Sequence, residues 1–328
     1  MNDIAHTVAI ALLWFIGLPV AAALAPVSPI AAGLGVVLLL HLLVNVAVRC
    51  IGIWRYRRWA KAQPWTSAGT LPASVSWTAG EGADAVLLVH GFCDAAYVWK
   101  RQGARLAAAG CHVSAVQLAG FGARGLPDKS AADWQAQLTD RIAALGATHR
   151  RVFVMAHSFG CSLALDAAYR HRRYGLAPIA GLILLAPLIA PQPCNRWGIP
   201  FRWYYALRRW LLPLTLYLPS MFRETVKGED DPDFTFRRDA FMRASHLVSL
   251  MRILARIRGF DRTFVDVPVR VFLAGDDRLV DSEATRRWLA GTRAPCAFSV
   301  VPGAKHALPT ARSWRETCDA AVEFMRAL

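Results

Sequence analysis

The sequence predicts an α/β domain, a mostly parallel sheet flanked by helices, preceded by a helical hairpin of membrane-spanning character. Three observations carry this expectation. From about residue 85 onward, short branched apolar runs alternate with longer stretches of helical periodicity, the pattern of strands joined by crossover helices. Residues 4–48 contain no Asp, Glu, Lys or Arg. Between 191 and 267 the alternation stops, which marks an insertion. The 328 residues suit one large α/β domain with additions.

Taken in order, the uncharged stretch is divided by Pro26, Ser28 and Pro29 into two spans, 7–24 and 30–48. Each has about the 18 to 20 residues that a helix rising 1.5 Å per residue needs to cross ~30 Å of hydrocarbon. Arg49, Arg55, Arg57, Arg58 and Lys61 follow, interleaved with Trp54, Tyr56, Trp59 and Trp65, a basic and aromatic interfacial flank. The loop between the spans is uncharged, so the positive-inside bias puts the chain after Val48, and with it the folded domain, on the cytoplasmic side of the cytoplasmic membrane. Two other readings are weaker. A signal peptide ending at Ala23-Leu24-Ala25 would lack a basic n-region and would be followed by Pro26 and a second span. A helical pair buried on the domain would not need such an uncharged length.

Composition agrees with partial exposure to lipid, since 55% of residues are apolar and the mean hydropathy is +0.30, high for a soluble protein. The seven cysteines are scattered with no C-x-x-C pair, as in a reduced compartment. The net charge is +15, and the first 65 residues carry five basic groups and one acid, leaving +11 on the remainder. No zinc spacing or RNA-binding signature accompanies that charge, so nucleic acid is not expected; anionic lipid headgroups are the simpler partner, and an Arg-rich solvated surface from biased composition is the equal alternative.

Gly69 and Pro72 mark a linker, so residues 1–65 form an anchor and 66–328 the folded domain. Strands are expected at 85–90, 112–118, 151–156, 179–186, 269–274 and 297–301, with helices at 97–109, 131–145, 162–174, 282–290 and 310–327. Ligands meet such sheets at the carboxyl ends of the strands. Three segments there bear chemistry: Ala156-His157-Ser158-Phe159-Gly160, Gly275-Asp276-Asp277 and Gly303-Ala304-Lys305-His306. They supply a nucleophile, an acid and a base in that order. A serine hydroxyl attacks only when a histidine takes its proton, and a carboxylate must hold that histidine in the right tautomer. His306 follows a strand and a small-residue turn, and the 29-residue gap from Asp277 fits one helix and one strand. No metal cluster is apparent and no cofactor is expected.

A serine on a strand-to-helix elbow, then an aspartate, then a histidine, resembles the alpha/beta-hydrolase superfamily, with Ala156 in place of the usual first glycine of the elbow. His90-Gly91-Phe92 falls where that superfamily places an oxyanion loop, and the resemblance assigns the backbone N–H groups of Phe92 and Phe159 as oxyanion donors, with their side chains walling an acyl pocket. The acid loop, Asp277 before Arg278-Leu279-Val280-Asp281, looks like that of monoacylglycerol lipases and lysophospholipases, one residue shorter after Gly275 than their commoner pattern. Asp276 is the alternative acid, and Asp281 a helix cap. His157 is expected to pack in the elbow and His90 to bond backbone. Gly120-Phe121-Gly122 resembles the family's glycine-rich loop before the cap and bears no chemistry of its own.

The resemblance makes 191–267 a helical cap over the site. Its Trp197, Phe201, Trp203, Tyr204, Tyr205, Trp210, Leu211, Leu212, Leu214, Leu216, Tyr217, Leu218, Met221 and Phe222, broken by Arg202, Arg208 and Arg209, suit an acyl tunnel or a membrane interface. The expectation is a membrane-anchored serine hydrolase of acyl or lipid-like esters. The alternatives are an aminopeptidase of the proline-iminopeptidase type, which would hold a substrate amine with Glu229, Asp230, Asp231 and Asp233, an acyltransferase, or a catalytically silent scaffold. Against the aminopeptidase, that acidic cluster reads as a solvated turn around Pro232.

Overall fold

The computed structural model describes residues 2–26, 28–175, 179–193, 212–220 and 222–328. The aromatic residues expected in the cap between Trp197 and Leu211, together with Met221, lie outside them. Two compact units emerge: the N-terminal helices up to Ala62 with the stretch 212–218, and residues 63–193 with 219–328.

In the first unit, α1 (Asn2–Leu24) and α2 (Pro29–Lys61) form the apolar pair. α2 starts where the sequence says a helix should, with Ser28 capping the Ala31 N–H and Pro29 in the first turn. The helices are antiparallel and close. A Cβ on Gly17 would sit 3.1 Å from Leu38, one on Gly35 3.2 Å from Ala21, and the Trp14 indole donates to His41 Nδ1 at 3.2 Å. Among the described residues one helix, α2, is long and apolar enough to cross a membrane, with a mean hydropathy of 2.3 over its most apolar window. It runs thirteen residues past Val48, so the basic and aromatic flank is helical to Lys61.

The second unit is built on a seven-stranded sheet. Its strands are β1 (Trp77–Ala79), β2 (Asp84–Val89), β3 (His112–Val116), β4 (Arg151–His157) and β5 (Gly181–Leu185), then β10 (Val269–Ala274) and β11 (Cys296–Val301). Between β5 and β10 lie β6 (Tyr217–Pro219), β7 (Thr225–Lys227), β8 (Thr235–Arg237) and β9 (Phe241–Arg243). The order across the sheet is β1-β3-β2-β4-β5-β10-β11, parallel except for β1, which runs antiparallel to β3. The helices are α3 (Lys100–Ala108), α4 (Ala131–Gly146), α5 (Phe159–Tyr174), α6 (Ala244–Gly259), α7 (Ser282–Ala290) and α8 (Trp314–Ala327).

The central strands are apolar throughout because helices cover both faces. On one face Val86, Leu88, Phe153, Met155, Ile183 and Leu185 pack with Trp99 and Leu106 of the α3 side and with Cys318 and Met325 of α8; across the other, α4, α5 and α6 pack on one another. The chain steps from β2 to β3 on one side and then to β4 on the other, so the carboxyl ends of β2 and β4 flank a switch point, where ligands meet such sheets. Besides α6, the insertion carries a two-stranded antiparallel ribbon, β7 with β8.

Candidate active site

The site starts at the carboxyl end of β4. Ser158 sits at φ 53° and ψ −116°, a left-handed conformation costly for a residue with a Cβ, of the kind retained where geometry matters. The turn is tight enough that a Cβ on Gly160 would stand 2.6 Å from the Val89 carbonyl oxygen and 2.8 Å from that of His90; only glycine lets α5 begin so close to β2. The Ser158 N–H donates to Leu185 O at 2.9 Å, and its own carbonyl accepts from Cys161 and Leu188. The elbow is thus tied into the sheet and the first turn of α5.

The Ser158 hydroxyl lies 2.7 Å from Nε2 of His306, and Nδ1 of the same ring lies 2.8 Å from Oδ2 of Asp277. The other Asp277 oxygen accepts from the N–H groups of Leu279 and Val280 at 2.9 and 3.0 Å. Burial raises the carboxyl, but the His306 hydrogen bond, its charge and the two backbone donors outweigh it and hold Asp277 below the usual carboxylate range. Asp276 is exposed, its N–H bonded to Ala304 O, while Asp281 caps α7 by accepting from Ala284 N. Of the three carboxylates in this loop, the turn over 277–280 aims Asp277 at the imidazole.

Two side chains fix this arrangement: His157, expected only to pack in the elbow, and Gln192, which the sequence did not single out. His157 Nε2 donates to His306 O at 2.9 Å; burial, then the charge of His306, lowers its pKa to about 4. Gln192 donates its amide to the carbonyls of Asp277 and Val280 at 3.1 and 3.0 Å, stapling the acid loop to the start of the insertion. The position of His157 beside the serine offered a hint of its role; nothing local marked Gln192. His90 bonds backbone as expected, to Gly91 O and from Leu118 N.

A cavity of about 170 Å3 opens at the serine, lined by Gly91, Phe92, Asp94, His157, Ser158, Phe222, Arg238, Leu279, Lys305, His306 and Ala307. Phe92 walls it, as anticipated, but Phe159 does not: its ring is fully buried and packs edge-to-face on Phe92 and Trp134, because the first helical turn directs it into the aromatic core under the loop. One wall is charged. Arg238 pairs with the buried Asp94 at 3.3 Å and lies over the Phe222 ring, a pairing across 144 positions of chain that no local pattern announces. Gly122 belongs to the scaffold: its N–H donates to Asp239 at 2.6 Å.

The acids of the insertion are engaged away from this cavity. Asp230 pairs with Arg101 and Arg315 and accepts from the Trp314 indole, and Glu229 accepts from Arg312 N. Asp230 is therefore an ion-pair centre within an otherwise solvated turn, in which Glu229, Pro232 and Asp233 are exposed and Asp231 accepts from the N–H groups of Asp233 and Phe234.

With fold and geometry in view, the class is plain. A model of the alpha/beta hydrolase family matches residues 86–320, most of the chain, and the chain belongs to that family; it is a hydrolase. No curated protein matches the sequence. Similar solved structures include one from the pair LipS and LipT, metagenome-derived lipolytic enzymes, with a TM-score of 0.62 and 16% identity over 79% of this chain and 100% of that one. Another is the monoacylglycerol lipase of Paleococcus ferrophilus, at 0.61 and 17% over 76% and 97%. A third is a soluble variant of monoglyceride lipase from Saccharomyces cerevisiae in complex with a substrate analog, at 0.59 and 17% over 77% and 89%. At these identities the likeness is one of fold.

Proposed function

We propose that the protein is a membrane-anchored serine hydrolase that cleaves acyl, lipid-like esters. The observation that carries the reading is the unbroken line from the Ser158 hydroxyl through both nitrogens of His306 to Asp277. In this mechanism His306 takes the Ser158 proton as Oγ attacks the ester carbonyl, and Asp277 holds the tautomer that leaves Nε2 free to accept it and steadies the imidazolium that forms. The tetrahedral oxyanion is met by the backbone N–H groups of Phe92 and Phe159, the second at the positive end of α5. His306 then gives its proton to the leaving alcohol, and water attacks the acyl-enzyme with the same histidine as base.

An ester of lipid character is supported by the apolar cavity wall at Phe92, Phe222 and Leu279, and by fold neighbours that are lipolytic enzymes and monoacylglycerol lipases. The Asp94–Arg238 pair gives one polar wall suited to the hydroxyls of an alcohol moiety. Residues 1–65 form the anchor, 66–328 the hydrolase and 191–267 the cap; the long apolar α2 supports anchoring, and the Arg and Lys run from 49 to 61 favours a cytoplasmic catalytic domain. Labelling the purified protein with a fluorophosphonate tests the core of the reading. Wild type should be labelled and Ser158→Ala should not; a folded wild type that stays unlabelled in detergent would overturn it.

A further inference from the structure

α2 does more than present lipid-facing residues. Asn45, Arg49, Gly52 and Tyr56 recur at helical spacing on one face of it, and each engages the insertion's stretch 214–217 within the same compact unit. Asn45 is 1% exposed in an otherwise apolar part of the helix, a costly place for a carboxamide without partners. It has them: Nδ2 donates to His41 O at 2.9 Å and Oδ1 accepts from Leu214 N at 3.3 Å. Arg49 donates to Leu214 O at 3.2 Å, so both main-chain polar groups of Leu214 are held by the helix. One turn on, a Cβ on Gly52 would lie 3.1 Å from Tyr217 O, so glycine here is what admits the strand-like backbone. The Tyr56 and Tyr217 rings then stack at 4.2 Å and 14°.

We propose that α2 is the docking platform of the cap's 214–217 stretch. Rising 1.5 Å per residue, a helix entering hydrocarbon at Pro29 leaves it after about 20 residues. The docking turns therefore straddle the headgroup layer, with Trp54, Arg55, Arg57 and Arg58 beside them. The anchor holds the cap's 214–217 stretch at the membrane surface. In the chain, Phe222 of the cavity wall follows Tyr217 by five residues, so the platform governs how an ester drawn from the bilayer reaches Ser158. This second consequence rests on the ester-hydrolase reading; the docking itself does not.

The test compares Gly52→Leu with Gly33→Leu in the full-length protein in phosphatidylcholine vesicles. Gly33 is the control because a Cβ there meets nothing within 4 Å. Hydrogen exchange across 212–218 should rise at least tenfold in Gly52→Leu and stay unchanged in Gly33→Leu, with both variants still cosedimenting with vesicles. Hydrolysis of a long-chain monoacylglycerol embedded in the vesicles should fall at least tenfold in Gly52→Leu, while a water-soluble butyrate ester is cleaved within twofold of wild type. Unchanged exchange in Gly52→Leu would overturn the docking, and an equal fall on both esters would overturn the role in substrate delivery. If wild type cleaves neither ester, the ester reading fails, and the exchange comparison still decides the docking.

Discussion

His157 donates from Nε2 to the main-chain carbonyl of His306 across 2.9 Å, so the residue before the elbow serine pins the backbone of the residue whose ring meets that serine. Two loops from different strands are thereby locked at the point where Ser158 Oγ and His306 Nε2 stand 2.7 Å apart, the pair that the proposed mechanism uses as nucleophile and base. Displacing a base by about 1 Å costs on the order of 100-fold in rate. His157→Leu should therefore lower kcat at least tenfold with KM within about twofold, and His157→Gln, which keeps a donor, should recover most of it. Steady-state kinetics on one soluble ester checks both.

Acid should loosen the fold through the same residue. His157 titrates at about 4 in the folded state against roughly 6.5 unfolded, so between those values the unfolded chain binds more protons and stability rises with pH. The contribution is fully present above about pH 6.5 and is lost as pH falls towards 4, on the order of 3 kcal/mol. Thermal midpoints measured between pH 4 and 7 should fall with acid in wild type and less steeply in His157→Gln.

Asp239 works with the opposite sign. Burial lifts its carboxyl to about 7 against the pull of the Gly122 N–H, so the folded state holds a proton there that the unfolded chain has released, and stability declines as pH rises from about 4 to 7. Asp239→Asn keeps an acceptor for Gly122 and removes the titration. Its thermal midpoint should exceed that of wild type by roughly 3 °C or more at pH 9 and match it at pH 4.

The acid loop offers a sharp comparison. Asp277→Asn should lower kcat by about 10³ to 10⁴, the scale of losing the carboxylate that fixes a catalytic histidine, whereas Asp276→Asn should stay within about threefold because its side chain is exposed and the His306 Nδ1 bond goes to Asp277. Equal losses in both would reject Asp277 as the acid.

Gly160→Ala should cost about 3 kcal/mol or more, because the added methyl meets the backbone carbonyls of Val89 and His90 at 2.6 and 2.8 Å and neither can yield without moving β2. Urea unfolding of the variant in detergent measures it.

The sheet was legible because its central strands are buried on both faces and so are written as bare apolar runs, and the order of Ser158, Asp277 and His306 was legible because each follows such a run. β1 was not: three residues of mixed character, Trp77–Ala79, gain their strand only by pairing with β3. Asp276 and Asp277 are adjacent in one loop, and the decision between them lies in a turn whose donors, Leu279 and Val280, are ordinary apolar residues. Phe159 was expected at the acyl pocket because it neighbours the serine, but the helix start rotates its ring into the core. The Asp94–Arg238 wall and the Gln192 staple join residues far apart in the chain, where no periodicity reaches. The turn around Pro232 is solvated at Glu229 and Asp233 as its composition suggests, but the ion pairs of Asp230 were hidden because Arg101 and Arg315 come from helices remote in sequence.

The clasp of Asn45 on Leu214 joins residues 169 positions apart, and that separation is also an interval of time. At about 5–20 residues per second of synthesis, the hairpin emerges on the order of 10–30 s before the segment it receives, so during translation the Asn45 carboxamide has its bond to His41 O within the helix and not yet the one to Leu214 N. Closing that clasp is a late event in the protein's birth, and a chain halted before residue 214 would carry a finished anchor with an open seat.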